Sequence, residues 1–361
     1  MKTTFTRRQF LISCLMGGTG FALARQADPS NLFTAAGANN RVRVGIVGLG
    51  ENGLRHLQNY LRIADVEICA LCDTDQARLD AAAAMLSKAG SRPVVLSADF
   101  RRLTDLKDLD AVSIAVPRAK RATIAADFCR AGKGVMLEQP FSQNSEEGKT
   151  LIAAVKKGGV IAQQKDDNYI FTHDDLYDAS AFHFIGGIQH VRGQKTITTG
   201  ISGVASRAPK DISARLAKAA WSELDMARCV LSSEVPAEVS SMNFTGGGFL
   251  QERTALNFDF CHGGIRSISF EIAGLPGREA TEEASMEFFG THGKMKVTYQ
   301  ALTSQTAEAI SVQNFIDCVR DNDATKLLNP LAEAQKSNLL IELATLSIAH
   351  NQIVAFDPVK E

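Results

Sequence analysis

The 361-residue sequence predicts two folded units in tandem. The first is an α/β unit with a doubly wound parallel sheet; the second is α+β. Three observations carry this. From residue 41 to about 160, short apolar runs rich in β-branched residues alternate with helix-length segments. A glycine cluster, Gly48-Leu49-Gly50-Glu51-Asn52-Gly53, joins the first such run to the first helix. Past residue 237, several runs of strand-like alternation follow one another with glycine turns between them.

The chain opens Thr4-Phe5-Thr6-Arg7-Arg8-Gln9-Phe10-Leu11, and an apolar run continues to Ala24. That run is too short to span a bilayer. Paired arginines, the apolar stretch and the small-x-small triplet Ala22-Leu23-Ala24 predict a twin-arginine export signal over residues 1–24. The expected location is periplasmic, with the twin-arginine export machinery as a partner. That route carries folded proteins, which suits a chain that takes up a cofactor before export. Residues 25–40 are expected to be a linker.

The α/β unit is expected over 41–160. Arg41 to Val47 reads as a strand, Leu54 to Ile63 as a helix and Val66 to Cys72 as a second strand ending in Asp73. Asp75 to Lys88 is an Ala-rich helix, and Val94 to Leu96 and Asp110 to Val116 are strands. Thr123 to Ala131 is a helix closed by Gly132; Val135 to Leu137 is a strand running into Glu138-Gln139-Pro140. Ser145 to Lys157 closes the series as a helix, with Val160 to Gln164 as a strand. Ligands of such sheets bind outside the carboxyl ends of the strands. That rule gathers Gly48 to Gly53, Asp73, Pro117 to Lys120, Glu138 to Pro140 and Gln163 to Lys165 around one crevice.

The glycine cluster between strand and helix, with an acidic residue twenty positions past Gly53, is the dinucleotide-binding signature. Gly48 permits the tight turn, Gly50 lets the backbone approach a pyrophosphate, and Gly53 lets the helix pack on the strand. The helix N-terminus, at Glu51 and Asn52, offers free N–H groups to phosphates. Asp73 is suited to a ribose diol, which favours NAD over NADP, while Arg78 nearby softens the preference. Pro117 and Glu138, at two further strand ends, complete the expected cofactor site.

In the second unit, Glu238 to Phe244, Gln251 to Phe260, Gly264 to Ala273 and Ser285 to Phe289 read as strands, and Leu331 to about Gln352 as a final helix. This unit is expected over 161–361, with its last helix packing back on the first. Lys plus Arg total 39 against 40 Asp plus Glu, a net charge of −1 that excludes a sequence-blind nucleic-acid binder. The cysteines are read as buried free thiols, and no metal site is expected. Cys69 and Cys72 lie three apart on a strand and face opposite ways.

The sequence resembles the glucose–fructose oxidoreductase / inositol dehydrogenase / MocA family. Besides the glycine loop, Cys72-Asp73-Thr74-Asp75 fits, and Ala131-Gly132-Lys133-Gly134-Val135-Met136-Leu137-Glu138-Gln139-Pro140 is close to the family's AGKxVxxEKP. Phe289-Gly290-Thr291-His292-Gly293-Lys294, Asn314-Phe315-Ile316-Asp317-Cys318-Val319 and Phe356-Asp357-Pro358 match further motifs. The resemblance implies a Rossmann domain and a C-terminal domain with an open, mainly antiparallel sheet that often mediates oligomers. It also implies NAD(P)-dependent chemistry on sugars or cyclitols.

The chain departs from that pattern where the family places its acid–base groups. Its E-K-P lysine is Gln139 here, which hydrogen-bonds but carries no charge. The resemblance puts the family's helix aspartate, histidine and further acid on Lys218, Ser222 and Asp225. Leu216, Ala220, Leu224, Ala227 and Leu231 form that helix's buried stripe, and Lys218, Ser222, Asp225 and Cys229 share another face. Lys218 as general base, oriented by Asp225, and Gln139 are therefore the candidate catalytic residues, with Lys120 or Lys165 as substitutes for the missing lysine. The seven histidines, His56 among them, read as surface or turn residues. Arg118, Lys120 and Arg121 suggest an acidic sugar or a phosphate as ligand. The leading expectation is an NAD(P)-dependent oxidoreductase of carbohydrate-like substrates. The alternatives are an NAD-dependent glycosidase with a retained cofactor, and an inactive nucleotide- or sugar-binding protein.

Overall fold

The computed structural model describes residues 41–165, 185, 187–198, nine positions between 216 and 231, and then 236–245, 252–260, 266–275, 281–300 and 304–355. The predicted export signal and linker, and Lys218, Ser222 and Cys229, lie outside the described residues. The described chain divides into two compact units. The first holds the described residues 41–165 together with Gln305–Gln335; the second holds the described residues from 185 to Ser304 and from Lys336 to 355.

In the first unit, β1 (Val42–Val47), β2 (Val66–Cys72), β3 (Val95–Ser97), β4 (Ala111–Ile114), β5 (Gly134–Leu137) and β6 (Ala162–Gln164) form one sheet in the order β3-β2-β1-β4-β5-β6. Every pair is parallel. The helices between them are α1 (Glu51–Leu61), α2 (Gln76–Lys88), the short α3 (Arg101–Thr104), α4 (Arg118–Arg130) and α5 (Ser145–Gly158). The order reverses at β1, so β2 and β4 diverge on either side of it. That is the switch point where such sheets open a ligand crevice. β4 and β5 are buried at every residue, as continuous apolar strands covered on both faces should be.

Two helices start earlier than the sequence reading placed them. α1 begins at Glu51 because Gly50 is already its N-cap, and α4 begins at Arg118 directly after Pro117. Proline is well suited to a helix entrance, where its missing N–H costs nothing. α2 and α5 are capped by Asp75 and Asn144, whose side chains accept first-turn N–H groups. A sixth helix, α6 (Ser304–Asp321), returns to this unit. Its Val312, Phe315, Ile316 and Cys318 join the core formed by Val44, Ile46, Leu57, Tyr60 and Met136.

The second unit contains β7 (Ile188–Thr198), β8 (Glu238–Thr245), β9 (Glu252–Asp259), β10 (Ser267–Leu275), β11 (Thr281–Gly290), β12 (Lys294–Gln300) and β13 (Val354–Ala355). They form one sheet in the order β12-β11-β7-β10-β9-β8-β13. All pairs are antiparallel except β7 with β10. Val191, Leu256, Phe258, Ile268, Phe270, Met286 and Phe288 point to one buried face, while His190, Arg192, Asn257, Ser267, Ser269 and Glu287 lie on the other. On the buried face, Lys195 pairs with Glu223 at 3.0 Å. The final helix, α7 (Leu331–His350), starts in the first unit, and its residues from Lys336 belong to the second. No helix among the described residues is long and apolar enough to cross a membrane.

Candidate functional site

The loop after β1 is shaped by what its glycines exclude. Gly48 has φ +89°, and a Cβ there would lie 2.7 Å from the Ala115 carbonyl oxygen. A Cβ on Gly53 would lie 1.8 Å from the Gly48 oxygen. These two positions admit no side chain: the backbone after β4 fills the space at Gly48, and the turn itself fills it at Gly53, where α1 packs on it. Gly50 is different: the nearest atom to a Cβ there is Arg78 Nη1, at 3.9 Å. The space over Gly50 is open, and no side chain caps the first turn of α1. A helix start without a side-chain cap leaves backbone N–H groups free for an anion. Glu51 is exposed on that turn, and Asn52 accepts from Arg55 at 2.6 Å.

Asp73 closes this loop from the end of β2. Its Oδ2 accepts the Leu49 N–H at 2.6 Å, and its Oδ1 accepts the Asp75 N–H at 2.9 Å. Each carboxylate oxygen has a second lone pair, so the group can still accept from a ribose diol. The site's residues thus fit a dinucleotide. There is open room at Gly50 for a pyrophosphate, uncapped N–H donors beside it, and a fixed acceptor at Asp73.

The loop after β5 is built the opposite way. Glu138 is 3% exposed, yet it is an ion-pair centre: His56 Nε2 lies 2.6 Å from its Oε1 and Lys165 Nζ 3.0 Å. Burial alone would raise the Glu138 carboxyl, but the hydrogen bonds and charges of His56 and Lys165 outweigh it and hold the group well below the usual carboxylate range. The cluster continues. Lys165 Nζ reaches Glu308 of α6 at 3.1 Å, Arg55 Nε approaches Glu308 at 4.0 Å, and Ser113 Oγ meets His56 Nδ1 at 2.7 Å.

His56 is therefore no surface or turn histidine; it is fully buried on α1, in the stripe of Gly53, Leu57 and Tyr60. Lys165, one of the two lysines offered as substitutes for the missing one, is fully buried as well and pairs with Glu138 and Glu308. Lys120 is exposed on α4. The basic run after Pro117 also differs from its reading as an anion patch. Arg121 is buried and donates to the carbonyls of Val116, Glu138 and Pro140 at 3.0, 3.0 and 2.5 Å. Burial pulls its guanidinium down to about 10. Arg118 donates to the carbonyls of Ser142 and Gln143 at 2.6 and 2.9 Å. Both arginines bind backbone of the Glu138–Gln143 segment.

These contacts fix Gln139, which is half-buried between the anchored Glu138 and Pro140. Its side-chain Oε1 is buried and has no hydrogen-bond partner among the described residues. Pro117 is exposed at the start of α4. In the second unit Asp225 is 2% exposed; it accepts from Ser337 Oγ of α7 and lies 3.5 Å from Arg228 Nη2. Arg228 Nε in turn donates to Ser337 at 2.9 Å, and Trp221 Nε1 donates to Asn338 at 2.7 Å. The Asp225 carboxylate thus pins its helix to α7.

Residues 42–165 match the glucose–fructose oxidoreductase / inositol dehydrogenase / MocA family model, described as an oxidoreductase family with an NAD-binding Rossmann fold. A glycosyl hydrolase family 109 protein of Shewanella sp. (strain W3-18-1) is 36% identical over 110 residues, 29% of this chain and 24% of that protein. An alpha-N-acetylgalactosaminidase of Shewanella oneidensis is 34% identical over 120 residues, 32% of this chain and 26% of that protein. The matched stretches therefore span about a quarter of these relatives' length. Among solved structures, the myo-inositol dehydrogenase of Lactobacillus casei, in complex with NAD(H) and myo-inositol, superposes with a TM-score of 0.71 at 15% identity, over 88% of this chain and 97% of that one. That likeness speaks for the fold. Residues 42–165 thus carry the NAD-binding Rossmann fold that the oxidoreductase family model describes.

Proposed function

We propose that the chain is an NAD(P)-dependent oxidoreductase that moves a hydride to or from a sugar- or cyclitol-like substrate. One observation carries the reading: an open, uncapped glycine turn at Gly50, closed by Asp73, inside a fold of the NAD-binding type. The bound nicotinamide supplies the hydride chemistry, and the protein supplies position and a proton acceptor. The donors of the α1 start would hold the pyrophosphate and Asp73 the ribose. Glu138, neutralised by its neighbours, fixes the backbone that presents Gln139. Gln139 offers an amide to a substrate hydroxyl but no proton. The proton acceptor is assigned to Lys218, the position to which the resemblance points. The inositol dehydrogenase named above supports the substrate class, and the opening sequence supports export to the periplasm. A homo-oligomer through the second unit's sheet completes the proposal.

A second reading has its own support, because relatives 34–36% identical over the matched stretch are named as glycosidases. In that reading the Gly50 turn and Asp73 would hold NAD throughout turnover, and the cofactor would supply reversible hydride chemistry to glycoside cleavage without net change. One assay separates the readings. The purified chain, loaded with NAD, is given a panel of sugars, cyclitols and nitrophenyl glycosides. Net NADH fluorescence supports the oxidoreductase. Nitrophenol release without net NADH supports the glycosidase. Neither signal across the panel leaves the inactive binding protein.

A further inference from the structure

The buried charge cluster behind β5 has a member that the proposed chemistry leaves unused. Glu308, near the start of α6, is 1% exposed. Its Oε1 lies 3.1 Å from Lys165 Nζ and 3.9 Å from His56 Nε2, and its Oε2 lies 4.0 Å from Arg55 Nε. Two paths leave this carboxylate. One runs through Lys165, whose ammonium also reaches Glu138 at 3.0 Å, and so to the segment that presents Gln139. The other runs through Arg55, whose Nη2 donates at 2.6 Å to Asn52 Oδ1 on the first turn of α1. Glu308 therefore faces both the start of the glycine-loop helix and the loop after β5.

The two paths are not equally closed. Arg55 Nε is buried and has no hydrogen-bond partner among the described residues. Its 4.0 Å gap to Glu308 is about 1 Å longer than an N–H···O bond, so a small shift would close it. Charges buried together also move together, because displacing one leaves its neighbour uncompensated where the dielectric is low. We propose that Glu308 is a positioning residue that couples the two loops. An anion seated at the start of α1 fixes Asn52 and with it Arg55; Arg55 closes on Glu308; the Lys165–Glu138 pair passes that order to the segment carrying Gln139. The proposal rests on the nucleotide reading of the site. Its consequence is an order of binding: the nucleotide enters first, and Gln139 is firm for a substrate only afterwards.

The test follows amide hydrogen exchange of the full chain with and without saturating ADP, with a thermal melt of each variant. ADP carries a diphosphate for the start of α1 but no nicotinamide to lie against Gln139. In wild type, ADP should slow exchange over residues 138–143 by about fivefold or more, the scale of an ordinary coupling between sites. Glu308→Gln keeps the shape and loses the charge, and should bring that difference below about twofold while the first turn of α1 stays protected. Arg55→Ala, at a third-exposed position, should do the same; this arm stands even if Glu308→Gln fails to fold. ADP that binds wild type without slowing exchange at 138–143, or slowing that survives in a folded Glu308→Gln or Arg55→Ala, overturns the proposal and leaves the nucleotide reading intact. Binding of NAD without binding of ADP does the same. Failure of wild type to bind either nucleotide overturns both.

Discussion

Two loops leave neighbouring parts of the same sheet and solve opposite problems. The loop after β1 is stripped of side chains where the backbone turns, and its helix start has no side-chain cap. The loop after β5 is crowded with charge: Glu138, His56, Lys165 and Glu308 lie within ion-pair reach of one another, and Arg121 and Arg118 bind its carbonyls. The first leaves the start of α1 without a side-chain cap, beside open space over Gly50. The second pairs its charged groups, while the Gln139 amide oxygen is buried without a hydrogen-bond partner among the described residues. An unpaired backbone donor beside open space invites an anion, whereas a buried, paired carboxylate is structure. The contrast separates the residues that bind from those that hold the binding residues still.

The largest expected effects come from breaking either loop at its tightest point. Glu138→Gln leaves Lys165 and His56 buried with one carboxylate fewer, and a broken buried pair costs roughly 3–5 kcal/mol. Chemical denaturation should show that loss. Acid sharpens the same point. The native carboxyl is held below its ordinary value of 4.5, so its contribution is complete above that value and fades as pH falls toward the depressed native one. Wild-type stability should therefore drop below about pH 4.5, and in Glu138→Gln that acid limb should be shallower.

Gly53→Ala drives a methyl into the Gly48 carbonyl and should cost about 3 kcal/mol or more, with the melting point of the first unit as readout. Arg121→Met removes a donor to three carbonyls and should cost about 2 kcal/mol while loosening the segment that carries Gln139. Amide exchange over residues 138–143 would report it. The smallest effect on stability should come from Gly50→Val. The nearest described atom to a Cβ there is Arg78 Nη1 at 3.9 Å, an ordinary contact without a clash, so the fold should change by less than about 1 kcal/mol, although the room for a pyrophosphate is filled.

The same contrast governs what the sequence disclosed. Gly48, Gly50, Gly53 and Asp73 were legible because each serves a local need: a turn, a close approach, a strand-end acceptor. The parallel sheet followed from strands and helices taken in turn. The charged loop was legible only in part: the strand-end rule put Glu138 and Lys165 around one crevice, but His56, 82 positions from Glu138, and Glu308, 143 from Lys165, lie on helices that the rule does not reach. One signal was available. His56 shares a helical stripe with Gly53, Leu57 and Tyr60, and that spacing argues for burial. Arg118 and Arg121 looked like a surface patch because charge in a sequence says nothing of which carbonyls it meets. In the second unit the parallel pairing of β7 with β10 joins strands more than seventy residues apart, beyond any local pattern.

The central claim is that the Gly50 turn is a nucleotide seat and not merely a packing device. The direct measurement is a calorimetric titration of NAD into the wild type, stripped of any bound nucleotide, beside a Gly50→Val variant whose melt matches it. The account expects saturable binding at one site per chain in wild type and its loss in the variant. Equal binding by both, or none by a well-folded wild type, would contradict it.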